Sequence, residues 1–143
     1  MPKPAKRRLI EAALQAQQCA VAPYSGFKVG AALLAKNGKV FSGVNVESVS
    51  FGLTCCAERV ALFKALSEGE RQFAAVAIVA AVEAGPMPCG ACRQLLIEYA
   101  PAAVVWVADS RDPGAVIELT VAELLPSPFL PQFAMRKADE DIR

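Results

Sequence analysis

Histidine is absent from the 143 residues of this chain. That absence excludes Ser-His-Asp and Cys-His catalysis, together with every metal site built on imidazole. Hydrolytic chemistry would have to use carboxylates, thiolates, lysine or a metal held without imidazole. Excess charge is also lacking: 15 Lys and Arg against 14 Asp and Glu leave +1, too little for a surface that works by neutralising nucleic-acid phosphates. The basic opening (Lys3, Lys6, Arg7, Arg8) is read as a solvated helix start. Although 55% of the residues are hydrophobic, no apolar run reaches the ~18 residues of a membrane span. Glu11 and several glutamines interrupt the basic region, so no signal peptide is read there, and a cytoplasmic protein is expected. Residues 1–143 read as a single domain, long enough for one hydrophobic core and free of repeats, linkers and low-complexity stretches.

Apolar spacing (Leu9, Ala13, Leu14, Ala16, Ala20) predicts an amphipathic helix from about Ala5 to Ala20, ended by Pro23-Tyr24-Ser25-Gly26. Phe27 to Ala35 and Val40 to Val44 form an expected hairpin around Asn37-Gly38. A second helix is predicted from Thr54 to Leu66, with Gly69 placed to follow its end. Phe73 to Val82, rich in valine and alanine, suits a strand covered on both faces. After the Gly85-Pro86-Met87-Pro88 loop comes a third helix, Cys89 to Tyr99. Strands Ala103 to Val107 and Val116 to Leu119 follow, and Thr120 to Glu123 has the spacing of a capping box that opens a short last helix. This order predicts a three-layer α/β/α sandwich around a mixed, about five-stranded sheet.

What is present in quantity is cysteine. Five thiols in a chain expected in a reducing compartment point to free thiols or thiolate ligands rather than disulfides. Pro88-Cys89-Gly90-Ala91-Cys92 puts two sulfurs three residues apart at a loop-to-helix junction, on one helix face. Alone it is a redox dithiol, half of a zinc site, or chance. The earlier Cys56-Ala57-Glu58 changes the balance: Cys-x-Glu followed by a distant Pro-Cys-x-x-Cys is the pattern of zinc nucleobase deaminases, with cysteine in place of the first histidine. Cys56, Cys89 and Cys92 then supply three thiolates, and an open fourth position marks a catalytic rather than a structural zinc. Residues two apart on a helix diverge by ~200°, so Cys56 and Glu58 must both turn toward an ion lying off the helix N-terminus, where the dipole favours thiolate. Glu58 need not be a ligand; it is placed to move protons. Three thiolates around Zn²⁺ leave −1, which Arg59 or Arg93 would offset by hydrogen bonding to sulfur, Arg59 being preferred. Cys55, on this reading, only packs as a small apolar side chain.

Across most of its length the sequence resembles the small homotetrameric cytidine deaminases. The resemblance rests on Ala22-Pro-Tyr-Ser-Gly-Phe-Lys-Val-Gly-Ala-Ala32, Asn45-Val-Glu47, Cys56-Ala-Glu-Arg59, Pro88-Cys-Gly-Ala-Cys-Arg-Gln94 and Leu124-Leu-Pro-Ser-Pro-Phe129. It implies hydrolysis of cytidine and 2′-deoxycytidine to uridine and 2′-deoxyuridine with release of ammonia, and one Zn²⁺ per subunit on Cys56, Cys89 and Cys92. It also implies a homotetramer that acts on a small nucleoside, not on nucleic acid or at a membrane. Glu58 matches the proton shuttle, and Arg59 the residue that moderates the thiolate charge. Asn45 and Glu47 match the pair that bonds the sugar 3′-hydroxyl. Phe27 matches the aromatic against the base, and Ala57 and Cys89 match backbone contacts to substrate. Phe129 matches an aromatic that reaches a neighbouring subunit's site. Phe51 stands where the family usually has a tyrosine near the active site and subunit boundary, and so lacks that hydroxyl. Related deaminases of other cytosine nucleosides, nucleoside antibiotics among them, share the metal motif and are the alternative.

Overall fold

The computed structural model describes residues 3–130. Its elements are α1 (Lys3–Gln17), β1 (Val29–Ala35), β2 (Val40–Val44), a 3-10 turn (Phe51–Leu53), α2 (Ala57–Ser67), β3 (Phe73–Ala80), α3 (Gly90–Tyr99), β4 (Val104–Asp109), β5 (Val116–Thr120) and α4 (Val121–Leu124). The five strands form one mixed sheet in the order β2-β1-β3-β4-β5. β3 and β4 are parallel, with α3 as their crossover, and the other neighbours are antiparallel. None of the described helices is long and apolar enough to cross a membrane.

Side chains alternate across a strand, and here the alternation sorts the core into two layers. Ala32, Leu34, Ala75, Ala77, Val79, Trp106 and Ala108 meet Leu9, Ile10 and Ala13 of α1. Ala31, Leu33, Val76, Ile78, Val105 and Val107 meet α2, α3 and α4 on the other face. The expected α/β/α sandwich follows: β3 and β4 are apolar on both faces because helices cover both.

α2 is seated closely. Its buried Ala57, Ala61 and Ala65 fall four apart on one side, and opposite them β2 carries Gly43. A Cβ at Gly43 would lie 2.4 Å from the Ala57 carbonyl and 2.5 Å from the Ala61 nitrogen. Only glycine permits that approach, and it fixes the end of α2 from which the site is built.

Two helix boundaries move by three residues from expectation for one reason: backbone groups are engaged elsewhere. α1 ends at Gln17 rather than near Ala20, since the Val21 N–H donates to the Asn45 carbonyl and Val21 bridges Val46. α2 begins at Ala57 rather than Thr54, since Cys55 and Val46 exchange both N–H···O=C bonds at 2.9 Å. Extended β2 backbone thus continues past Val44 and is clamped between the Val21 and Cys55 segments.

Candidate active site

Cys56 is the N-cap of α2 and Cys89 the N-cap of α3, both in extended backbone conformation, and neither side chain makes a capping bond. Their sulfurs are therefore free while their carbonyls open the helices (Val60 N–H to Cys56 O, 3.1 Å; Arg93 N–H to Cys89 O, 3.0 Å). Cys92 follows one turn into α3 and is buried. Two helix N-termini, each with unpaired N–H groups and a positive dipole end, thus face the same sulfurs. The Cys89 loop is anchored by Arg93, whose Nε donates to the Pro88 carbonyl (2.7 Å) and Nη1 to the Leu124 carbonyl (2.8 Å). Gly85 lets the loop lie against β4, since a Cβ there would be 2.6 Å from Val107 Cγ1, and its φ of +87° suits glycine.

The Cys56 and Cys89 sulfurs are 3.6 Å apart and those of Cys89 and Cys92 3.5 Å. All three lie within 4.8 Å of one another. Tetrahedral zinc with Zn–S of about 2.3 Å needs sulfurs about 3.8 Å apart, so the trio fits one zinc ion. The redox alternative fits less well, because a third sulfur joins the Cys89–Cys92 pair. Among the described residues, no histidine or carboxylate completes a four-ligand group; Glu58 stands outside the cluster. Three ligands with an open side are the arrangement of a catalytic metal centre.

The thiols ionise unevenly. Hydrogen bonding from Cys92 outweighs burial and, with Arg59 and Cys89 as further donors, brings Cys56 down to about 5. The Cys92 thiol is raised, by that same bond to Cys56 and by burial. Arg59 Nη2 lies 3.4 Å from Cys56 Sγ and 3.4 Å from the Thr54 carbonyl, with Nε buried and unpartnered among the described residues. Cys56 in turn raises the Arg59 pKa and holds the guanidinium charged. Of the two arginines considered for the thiolates, Arg59 touches sulfur and Arg93 holds the loop. Glu58 is buried. Burial pushes its carboxyl up; its own backbone N–H opposes this and the nearby Cys56 charge adds to it. A carboxyl raised in this way beside three sulfurs is suited to gaining and losing a proton.

Asn45 is buried with its amide bonded twice: Oδ1 accepts from the Val29 N–H (2.9 Å) and Nδ2 donates to the Phe27 carbonyl (2.8 Å). Glu47 Oε1 accepts from the Tyr24 and Ser25 N–H groups (3.1 Å each), and Oε2 accepts from the Ser25 hydroxyl. These bonds lower the Glu47 pKa, the Ser25 hydroxyl contributing most. Tyr24, Ser25, Glu47, Ser48, Phe51 and Thr54 line a cleft of about 380 Å³. Thr54, whose carbonyl accepts from Arg59 Nη2, lines this cleft two residues before Cys56. A larger cleft of about 540 Å³ between α1 and the β4–β5 turn, lined by Lys6, Arg7, Ile10 and Val116 among others, includes none of the residues expected at the site.

Ala57 opens α2 and is buried, and Phe27 is partly exposed. Phe51 and Phe129 protrude, at 79% and 76% exposure; the Phe129 carbonyl accepts from Gln94 Nε2 of α3 (3.0 Å). Cys55 is half-buried beside the cluster without joining it. Sequence reasoning missed Ser25 and Thr54. The only available signal for Ser25 was its place in the Pro-Tyr-Ser-Gly turn, where a serine hydroxyl commonly bonds backbone.

Residues 3–108 match the family model of the cytidine and deoxycytidylate deaminase zinc-binding region. A cytidine deaminase of Halalkalibacterium halodurans is 50% identical over 125 residues, 87% of this chain and 93% of its own. The crystal structure of a Burkholderia pseudomallei cytidine deaminase superposes with a TM-score of 0.83 at 48% identity, covering 90% of this chain and 100% of that one. More distant is the blasticidin-S deaminase of Bacillus cereus, 32% identical over 106 residues, 68% of this chain and 74% of its own. The cysteine trio at two helix N-termini and these similarities agree: the chain belongs to the zinc-binding cytidine and deoxycytidylate deaminase family.

Proposed function

We propose that this chain hydrolyses cytidine and 2′-deoxycytidine, exchanging the exocyclic amine at C4 for water's oxygen and releasing uridine or 2′-deoxyuridine and ammonia. The observation that carries the reading is the buried Glu58 with its raised pKa beside three sulfurs spaced for one metal ion. Zn²⁺ on Cys56, Cys89 and Cys92 would supply Lewis-acid activation of water. Glu58 takes the proton that water loses on attacking C4 and delivers protons to the ring nitrogen and the departing amine. Burial raises its carboxyl above the ordinary carboxylate range, so it holds a proton more readily than a solvated glutamate would. Arg59 draws charge from Cys56, which limits how far three thiolates blunt the metal's acidity.

Asn45 and Glu47 hold the sugar hydroxyls, Phe27 packs against the base, and the Ala57 and Cys89 backbones contact the pyrimidine. Residues 1–143 form one cytidine deaminase-like domain, cytoplasmic and assembled as a homotetramer. The protruding Val49, Phe51 and Leu53, each more than 70% exposed, and Phe129 support that assembly. Phe51 and Phe129 are the side chains read as reaching a neighbouring subunit's site.

The ultraviolet loss of cytidine is the test, followed before zinc removal, after it, and after zinc is restored. Turnover that vanishes and returns with the metal supports the reading. Glu58→Gln should bind zinc normally and lose turnover by at least about 100-fold; wild-type turnover by that variant would sink the mechanism. Rates on cytidine, deoxycytidine, cytosine and blasticidin S separate cytidine from other cytosine substrates, and the stronger similarity to the cytidine deaminases favours cytidine.

A further inference from the structure

We propose that Ser25 is a positioning residue for the nucleoside sugar: its hydroxyl orients the Glu47 carboxylate and joins it to the Asn45 clamp, so that it governs affinity for substrates bearing sugar hydroxyls. The proposal rests on the reading of Glu47 as the sugar acceptor.

The hydrogen-bond directions carry the argument. The Phe27 N–H donates to Ser25 Oγ at 3.0 Å, which commits the hydroxyl hydrogen to Glu47 Oε2, its other partner. Glu47 Oε1 already accepts two backbone N–H groups. A carboxylate offers about four lone-pair sites, so three are filled and one, on Oε2, is left to a ligand. Ser25 fixes which one. The chain continues from Phe27, whose carbonyl accepts from Asn45 Nδ2 while Asn45 Oδ1 holds the Val29 N–H. Ser25 and Asn45 thus both hold the Phe27 backbone, one at its N–H and the other at its carbonyl, which ties Glu47 and Asn45 to the same residue. Ser25 and Glu47 both line one cleft, together with Thr54, two residues before Cys56. Two backbone N–H groups alone would anchor Glu47 to the turn; the hydroxyl adds control over Oε2.

The experiment compares Ser25→Ala, Ser25→Thr and Glu47→Gln on cytidine and on 2′,3′-dideoxycytidine, which lacks the 2′- and 3′-hydroxyls, with rates normalised to folded, zinc-loaded protein. Loss of one bond to a charged, partly exposed acceptor should raise the cytidine KM of Ser25→Ala about five- to tenfold. Its kcat should stay within about twofold, because Ser25 touches no reacting atom. The dideoxycytidine KM should not move, and Ser25→Thr, which keeps the hydroxyl, should restore the cytidine KM. An equal penalty on both substrates, or none on cytidine, would overturn the proposal. If Glu47→Gln discriminates between the substrates and Ser25→Ala does not, Ser25 alone is misassigned. If Glu47→Gln does not discriminate either, the sugar reading of Glu47 has failed and the proposal falls with it.

Discussion

Gly43→Ala should disable the site without altering a single side chain in it. An added Cβ would sit 2.4 Å from the Ala57 carbonyl oxygen, where ordinary contact begins at 3.4 Å, so α2 must withdraw by the difference, about 1.0 Å. The opposing atoms at 2.4 and 2.5 Å are backbone, so no rotamer change relieves the clash. Overpacking of this kind costs about 1–3 kcal/mol. Restricting the unfolded chain returns about 0.4–1 kcal/mol, so the net loss is roughly 1–2 kcal/mol. The helix that moves carries Cys56 at its N-cap and Glu58 in its first turn. Misplacement by about 1 Å is enough to cost about 100-fold in rate. Gly30→Ala is the matched control: its Cβ would lie 2.0 Å from the Ala13 carbonyl and 2.7 Å from the Gln17 nitrogen, against α1, which bears no metal ligand. Urea unfolding at fixed protein concentration gives the stability of both variants. Bound zinc and kcat per folded subunit give the state of the site. Both should be less stable, and only Gly43→Ala should lose turnover in its folded, zinc-loaded form. A Gly43→Ala protein with wild-type stability and kcat would refute the reasoning, as would equal loss of kcat in Gly30→Ala.

Arg59→Met removes the donor to Cys56 and should weaken zinc retention against a competing chelator by about 10–100-fold; unchanged retention and unchanged turnover would deny Arg59 its role at the sulfur. Glu47, whose pKa the Ser25 hydroxyl draws below the ordinary 4.5, stabilises its turn above the unfolded carboxylate value and loses that contribution as the pH falls through the lower folded value. A carboxyl carbon-13 titration should therefore have its midpoint below 4.5, and a midpoint at or above it would contradict the three-donor cradle. Trp106 is buried with Nε1 donating to Glu118 Oε1 at 2.7 Å and Lys6 Nζ 5.9 Å over its ring. Trp106→Phe should cost about 1–2 kcal/mol by circular-dichroism-monitored urea unfolding, with kcat preserved because the α1 face is remote from the sulfurs; a neutral effect would show the bond contributes nothing.

The sheet was legible because its signals are local. Valine- and alanine-rich runs covered on both faces mark β3 and β4, Asn37-Gly38 marks the β1–β2 turn, and Thr120 with Glu123 forms the expected capping box. Helix starts were misjudged where distant backbone competes. Thr54 and Cys55 have unremarkable helix propensities, but Val46 engages both hydrogen-bonding groups of the Cys55 backbone, and nothing near Cys55 in sequence announces a partner nine residues earlier. The 3-10 turn at Phe51–Leu53 was missed for a related reason: its three residues are too few to show a period.

The metal ligands were legible because Cys89 and Cys92 stand three residues apart on one helix face and Cys56-Ala57-Glu58 completes the zinc deaminase pattern. The shift in where α2 begins strengthens that assignment. Two cysteines on a regular helix would point about 100° apart, but Cys55 lies in the bridge to Val46 and Cys56 at the cap, so their separation owes nothing to helical geometry. An N-cap serine or aspartate would turn its oxygen back onto the first N–H groups. Cys56 and Cys89 make no such bond, which leaves each sulfur to the metal and each helix end to the electrostatics around it. The residues matched to sugar binding were less legible because they are held through backbone. Asn45 spends its amide on Phe27 and Val29, and Glu47 is held by Tyr24 and Ser25. Residues 24–29 and 45–47 meet only because β2 runs on beyond Val44 between two bridges. The same clamp that conceals those partners from a linear reading sets Glu47 one residue from the Val46–Cys55 bridge, with Cys56 next along the chain.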